Sequence, residues 1–106
     1  MPIRMICNYE VEVNDEGFFV DATQWTEEMA CVLAEEVGVP GPLTDRHWVV
    51  ISYMRTEYFE KGTGATVRKL GKSSGVTTKE LFKLFPKGPA KTSAMCAGIP
   101  KPRGCI

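Results

Sequence analysis

The chain has 106 residues, 43% of them apolar and 25% charged, with thirteen Lys and Arg balanced by thirteen Asp and Glu. That length suits one domain, residues 1–106, able to bury a core without staples. No apolar run approaches the ~18–20 residues a membrane-spanning helix needs, and the opening MPIRMICNYE lacks the apolar core of a signal peptide, so a cytoplasmic location is expected.

In Tyr9–Val13 apolar and acidic residues alternate, as in a half-buried strand. Asn14-Asp15-Glu16-Gly17 is a turn cluster, and Phe18-Phe19-Val20 reads as the return strand of an N-terminal hairpin. The period then becomes helical. Thr26 caps a first helix with Glu27 and Glu28 in its first turn; Met29, Ala30, Val32, Leu33 and Val37 share a face, and Gly38 ends it. Cys31 falls toward the polar side of this helix. Thr44 caps a second helix that runs to Gly62 and carries Trp48, Ile51, Tyr53, Met54, Tyr58 and Phe59. As the longest and most apolar segment it is the expected central helix, and His47 in its first turn reads as a surface or half-buried polar residue rather than a catalyst.

A short third helix is expected over about residues 65–72. Thr77 and Glu80 fit a capping box for a fourth, with Leu81, Phe82, Leu84 and Phe85 apolar and Pro86 at its end. Gly88-Pro89 opens a fifth helix, which Gly98 closes. Beyond it, Ile99-Pro100-Lys101-Pro102-Arg103-Gly104-Cys105-Ile106 reads as an extended, mobile arm of residues 99–106, reaching roughly 25 Å at ~3.1 Å per residue. The expected fold is therefore mostly α: a small orthogonal bundle of about five helices with an N-terminal β-hairpin and a flexible C-terminal arm.

Zero net charge conceals an asymmetry. Residues 1–60 hold twelve carboxylates against Arg4, Arg46 and Arg55, a net of −9; residues 61–106 hold ten cations against Glu80, a net of +9. Either the basic part meets an anionic partner or the two parts neutralise each other within the fold.

The cysteines are Cys7, Cys31, Cys96 and Cys105. Without an export signal they are expected as reduced thiols. They form no C-x-x-C pair and lie far in sequence from the lone His47, so neither a metal site nor a cofactor bound by this chain is expected. One histidine allows no Ser-His-Asp arrangement, and Gly62-Thr63-Gly64 lacks the rest of a phosphate-binding loop, which argues against a self-contained enzyme. Cys105, on an extended arm, is poorly placed for a core and well placed to enter another protein's site. Lys101 and Arg103 favour its thiolate while the carboxylate of Ile106 opposes them, and the sign of the net shift stays open. A thiolate there can take up sulfur as a persulfide or form a mixed disulfide; an incidental cysteine on a frayed tail is the alternative. The two prolines restrict the arm's backbone and lower the entropy lost on docking, and Gly104 keeps the approach to Cys105 narrow. A rival reading takes Arg68–Val76 and the following helix as a helix–turn–helix with a basic surface for nucleic acid.

Leu84-Phe85-Pro86-Lys87-Gly88-Pro89-Ala90-Lys91 and Ala97-Gly98-Ile99-Pro100-Lys101-Pro102-Arg103-Gly104-Cys105-Ile106 resemble the DsrC/TusE family. Asp15-Glu16-Gly17-Phe18, Gln24-Trp25-Thr26-Glu27 and Leu43-Thr44-Asp45-Arg46-His47-Trp48 extend the resemblance over essentially the whole chain. It implies a sulfur carrier of the DsrC type, with Cys105 as the sulfur-bearing residue and Lys91, Lys101, Pro102, Arg103 and Gly104 in arm and partner contacts. It implies partners of the sulfite reductase or sulfurtransferase kind and a membrane redox complex; sirohaem would belong to the reductase. The alternative within the family is a relay for tRNA 2-thiouridine synthesis. Dissimilatory members carry a second cysteine eleven residues before the arm cysteine, where this chain has Ala94. Cys96 lies two residues on, about 200° around a helix, and reads as a small core residue; a Cys96–Cys105 disulfide would need the helix end to unwind.

Overall fold

A computed structural model describes residues 2–102. A two-stranded antiparallel sheet, β1 (Ile3–Ile6) and β2 (Tyr9–Glu12), precedes a 3-10 turn at Ala22–Gln24 and five helices: α1 (Glu27–Glu36), α2 (Asp45–Lys61), α3 (Val67–Ser73), α4 (Thr78–Leu84) and α5 (Pro89–Cys96). The mostly helical architecture with an N-terminal hairpin is the one expected.

The hairpin is built differently from the expectation. β2 pairs backward with β1, in the register Ile3↔Glu12 to Ile6↔Tyr9, around a two-residue turn at Cys7 (φ 51°) and Asn8 (φ 69°). The expected return strand survives as the single bridge Val13↔Phe19, with Asn14 donating to Phe18 O and Val20 to Glu12 O. Two left-handed residues suit the twist of a tight hairpin, but Cys-Asn lacks the Asn-Gly signal that marks one in sequence.

Three helix starts carry a threonine cap, but the cap expected at α1 is absent, since Thr26 Oγ1 is buried without a hydrogen bond among the described residues. Thr44, Thr66 and Thr77 each accept from the backbone N–H three residues on. At α2 the capping box is completed by His47, whose Nδ1 accepts from Thr44 N–H at 3.0 Å. α1 and α5 both end in a left-handed glycine followed by a six-to-one bond, Val39 N to Ala34 O at 2.9 Å and Ile99 N to Ala94 O at 3.2 Å.

The central helix is α5 rather than α2. α5 packs on α1, α2, α3 and α4, whereas α2 leaves Val49, Ser52, Thr56 and Phe59 exposed along one side. Its inward residues are small, Ala90, Ser93 and Ala94, and small side chains let four neighbours approach one axis. A main core surrounds α5 and the inner face of α2; a second, of Ile6, Val11, Val13, Phe19, Met29 and Leu33, lies between hairpin and α1. Trp25 and Met95 pack against both.

Candidate functional site

The expected arm begins inside the body. Ile99 is fully buried, and Pro102 is buried as well. A methyl group added to Gly64 would meet Ile99 at 2.8 Å, Met54 at 2.9 Å and Pro102 at 3.3 Å, so the turn before α3 lies directly against both. Lys101 Nζ reaches Glu16 Oε2 at 3.3 Å, pinning the same segment to the turn after the hairpin. Ile99 and Pro102 bury apolar surface there while Pro100 is half-buried and Lys101 exposed, so the first four residues of the expected arm lie against the body as far as Pro102. Arg103, Gly104, Cys105 and Ile106 lie outside the described residues, so the charge around Cys105 and a Cys96–Cys105 bridge are not described.

The root of this segment is gripped by two side chains the sequence reading did not single out. The indole Nε1 of Trp25 donates to Cys96 O at 2.9 Å. Arg55, on α2, donates through Nη1 to Ala97 O at 2.8 Å and through Nη2 to Ala22 O at 3.3 Å. Its guanidinium lies 4.2 Å from the Trp25 ring centroid and 5.1 Å from that of Phe59. Among the described residues no carboxylate pairs with it, and partial burial lowers its pKa. Gly98 (φ 65°) turns the chain so tightly that any Cβ there would collide with the Trp25 indole. One signal was legible: Arg55 is the only Lys or Arg between His47 and Glu60, four residues after Ile51 and four before Phe59.

Cys96 sits in the main core with no exposed surface, and burial pushes its thiol up to about 12. It is a protonated small apolar residue at neutral pH. Cys31 is exposed at the edge of a groove of about 530 Å³ formed with Val39, Leu43 and Trp48, and Cys7 is half-buried with Sγ 3.7 Å from Glu28 O. Lys91 is exposed on the first turns of α5. His47 is more buried than expected, at 4% exposure: its Nδ1 accepts from Thr44, so Nε2 carries the proton and donates to Leu84 O at 3.2 Å. Burial lowers its pKa. Of the residues read as a basic nucleic-acid surface, Lys69 is bound at 2.8 Å to the buried Glu57, which also meets Lys61 at 3.1 Å. Among the described residues no group of three or more His, Cys, Asp or Glu could hold a metal ion, and no helix is long and apolar enough to cross a membrane.

The hairpin, the five helices and the segment packed on them through Pro102 define a small, mostly helical protein. The chain belongs to the DsrC-like protein family, whose model matches residues 5–106. It is 38% identical over 105 residues to Sulfurtransferase TusE of Escherichia coli (strain K12), covering 92% of this chain and 94% of that protein. Among solved structures it is similar to dissimilatory sulfite reductase I (DsrI), with 30% identity, a TM-score of 0.86 and coverage of 99% and 100%. The oxidized gamma-subunit of the dissimilatory sulfite reductase (DsrC) from Archaeoglobus fulgidus matches at 33% identity and a TM-score of 0.79, over 99% of this chain and 100% of that one.

Proposed function

We propose that this chain carries sulfur between partner proteins on Cys105. The observation that carries the reading is the extent of the family match, which runs through residue 106 and so takes in the whole arm motif. In the loading step the Cys105 thiolate attacks the outer sulfur of a donor persulfide; its S–S bond breaks, the donor leaves as a thiolate, and Cys105 becomes a persulfide. Delivery repeats the exchange with an acceptor thiolate, and neither step consumes an external oxidant or reductant. The protein acts as a loaded subunit of sulfurtransferase or sulfite reductase-type partners, binds no cofactor itself, and works in the reducing cytoplasm.

Two features of this chain favour transfer over closure of an internal disulfide. Position 94 is alanine, and Cys96 is held protonated in the core. They support the relay member of the two family roles, in line with the TusE relative. Incubation with a small persulfide donor is expected to add ~32 Da per sulfur atom at Cys105. An undiminished load on Cys105→Ser by mass spectrometry would defeat the proposal.

A second reading keeps a role for the basic part. Arg68, Lys72, Lys79 and Lys83 are exposed, and Thr66, Arg68, Lys69, Lys72 and Ser73 line a groove of about 320 Å³. These favour an anionic partner, nucleic acid included. Binding to duplex DNA at low salt that weakens when Lys72 and Lys79 are neutralised is the expected sign; no binding at low salt removes it.

A further inference from the structure

We infer that Trp25 and Arg55 are positioning residues for the segment that precedes Cys105 in the sequence: they grip the last carbonyls of α5 and fix the path of residues 97–102 on the body. This rests on the carrier reading above for its purpose, not for its geometry.

The last carbonyls of a helix have no partners within it. At α5 each is accounted for. Ala97 N–H bonds Ser93 O, Ile99 N–H bonds Ala94 O and Gly98 N–H bonds Met95 O. Cys96 O and Ala97 O remain, and these are the two that Trp25 and Arg55 take. The donors come from far away, 71 and 42 residues along the chain, so a local cap has been replaced by a tertiary one.

The grip is fixed on its other side too. Arg55 stacks on the ring whose N–H it accompanies and holds the 3-10 turn through Ala22 O. Its charge faces the negative end of the α5 dipole and is spent on two carbonyls and two aromatic rings. Trp25 approaches Gly98 so closely that no side chain fits at that position. On α2 the residue next to Arg55 is Met54, which closes on Ile99 through Gly64, so the same stretch of helix guides the path from Ala97 to Pro102.

Cys105 is three residues beyond Pro102 in the sequence, at most about 11 Å of extended chain. In transfer reactions a misplacement of about 1 Å can cost about 10²-fold, so where the segment before Cys105 is held matters. A long-range clamp at the root is thus worth more to delivery than to the chemistry of the sulfur.

The test uses the full chain with Cys7 and Cys31 changed to Ser and a nitroxide on Cys105. The variants are Trp25→Phe, which keeps the ring and removes the donor, and Arg55→Gln. Paramagnetic broadening of backbone amides reports where the label travels. In folded variants the set of broadened amides is expected to grow at least twofold, and the heteronuclear NOE of residues 99–102 to fall. The unlabelled variants should keep the rate at which cyanide removes sulfur from persulfidated Cys105 within about twofold of the parent, since a small nucleophile needs no aimed arm. A lower Tm with an unchanged broadening pattern would overturn the inference and leave the pair as stabilising contacts. A tenfold fall in the cyanide rate would also overturn it, placing the pair in the chemistry. Failure of the parent to load sulfur sinks the carrier reading alone, because the broadening measurement stands without it.

Discussion

At the residue scale, burial separates thiols that look alike in sequence. Cys31 is exposed, Cys7 half-buried and Cys96 fully buried with a pKa raised to about 12. Among these three, alkylation by iodoacetamide in the native state is expected at Cys31 first and at Cys96 only on unfolding, as a peptide map before and after denaturant would record. His47 supplies a second residue-scale outcome. The folded state holds it neutral, with Nδ1 accepting and Nε2–H donating, and burial depresses its pKa below the usual 6.5. The unfolded chain therefore binds the proton first as pH falls, and stability declines from about pH 6.5 toward the depressed value. Urea melts at pH 7 and pH 5.5 should show this decline, and His47→Gln should flatten it while lowering stability at both pH values by about 1–3 kcal/mol for the buried bonds lost. The sequence reading placed His47 in the first turn of its helix. It did not show that the imidazole closes the capping box and ties α2 to α4, since Leu84 stands 37 residues away.

At the element scale, local chemistry and packing part company. The starts of α2 and α4 were legible because a threonine cap needs only its neighbours three residues on, whereas α3, expected from about residue 65, starts at Val67 behind a Thr66 cap that was not read. The rank of the helices was not legible. α2 has the larger side chains and was expected at the centre, but α5 with its alanines and serine occupies it. The glycine after α5 ought to be far less replaceable than other left-handed glycines. Gly41 (φ 70°) has open space around it, so Gly41→Ala should cost only the strain of a left-handed alanine, about 1–2 kcal/mol. Gly98→Ala adds a collision with Trp25 and is expected to cost well over ~2 kcal/mol, a fall in Tm of roughly 10 °C or more in calorimetry. Near-equal melting temperatures for the two variants would refute the close packing at the root of the arm.

At the scale of the whole molecule, the charge asymmetry is partly settled inside the fold. Of the five described ion pairs, Lys61–Glu57, Lys69–Glu57 and Lys101–Glu16 set a cation of the basic part against a carboxylate of the acidic part, whereas Arg4–Glu36 and Arg46–Glu80 do not reduce the excess. Lys72, Lys79, Lys83, Lys87 and Lys91 have no such partner among the described residues and remain for an outside anion. Glu57 is the buried hub; its bond with Lys69 above all holds the carboxyl below its usual 4.5. Below pH 4.5 the unfolded chain takes the proton first, so the stability this carboxylate contributes is present above that pH and lost as acid is added. Glu57→Gln should lower stability at pH 7 and shrink the loss between pH 5 and pH 3, measured by urea melts.

The sequence by itself determined what depends on short stretches of chain: the helix starts, the glycine stops, the second strand and the motif around Cys105. Only the tertiary structure decided which helix lies at the centre, that Ile99 and Pro102 are anchored, and that Trp25 and Arg55 hold the end of α5. The division has a physical cause. A cap or a turn is satisfied by groups within about four residues, whereas burial and the grip on Cys96 O and Ala97 O require partners 71 and 42 residues away to arrive at the same place.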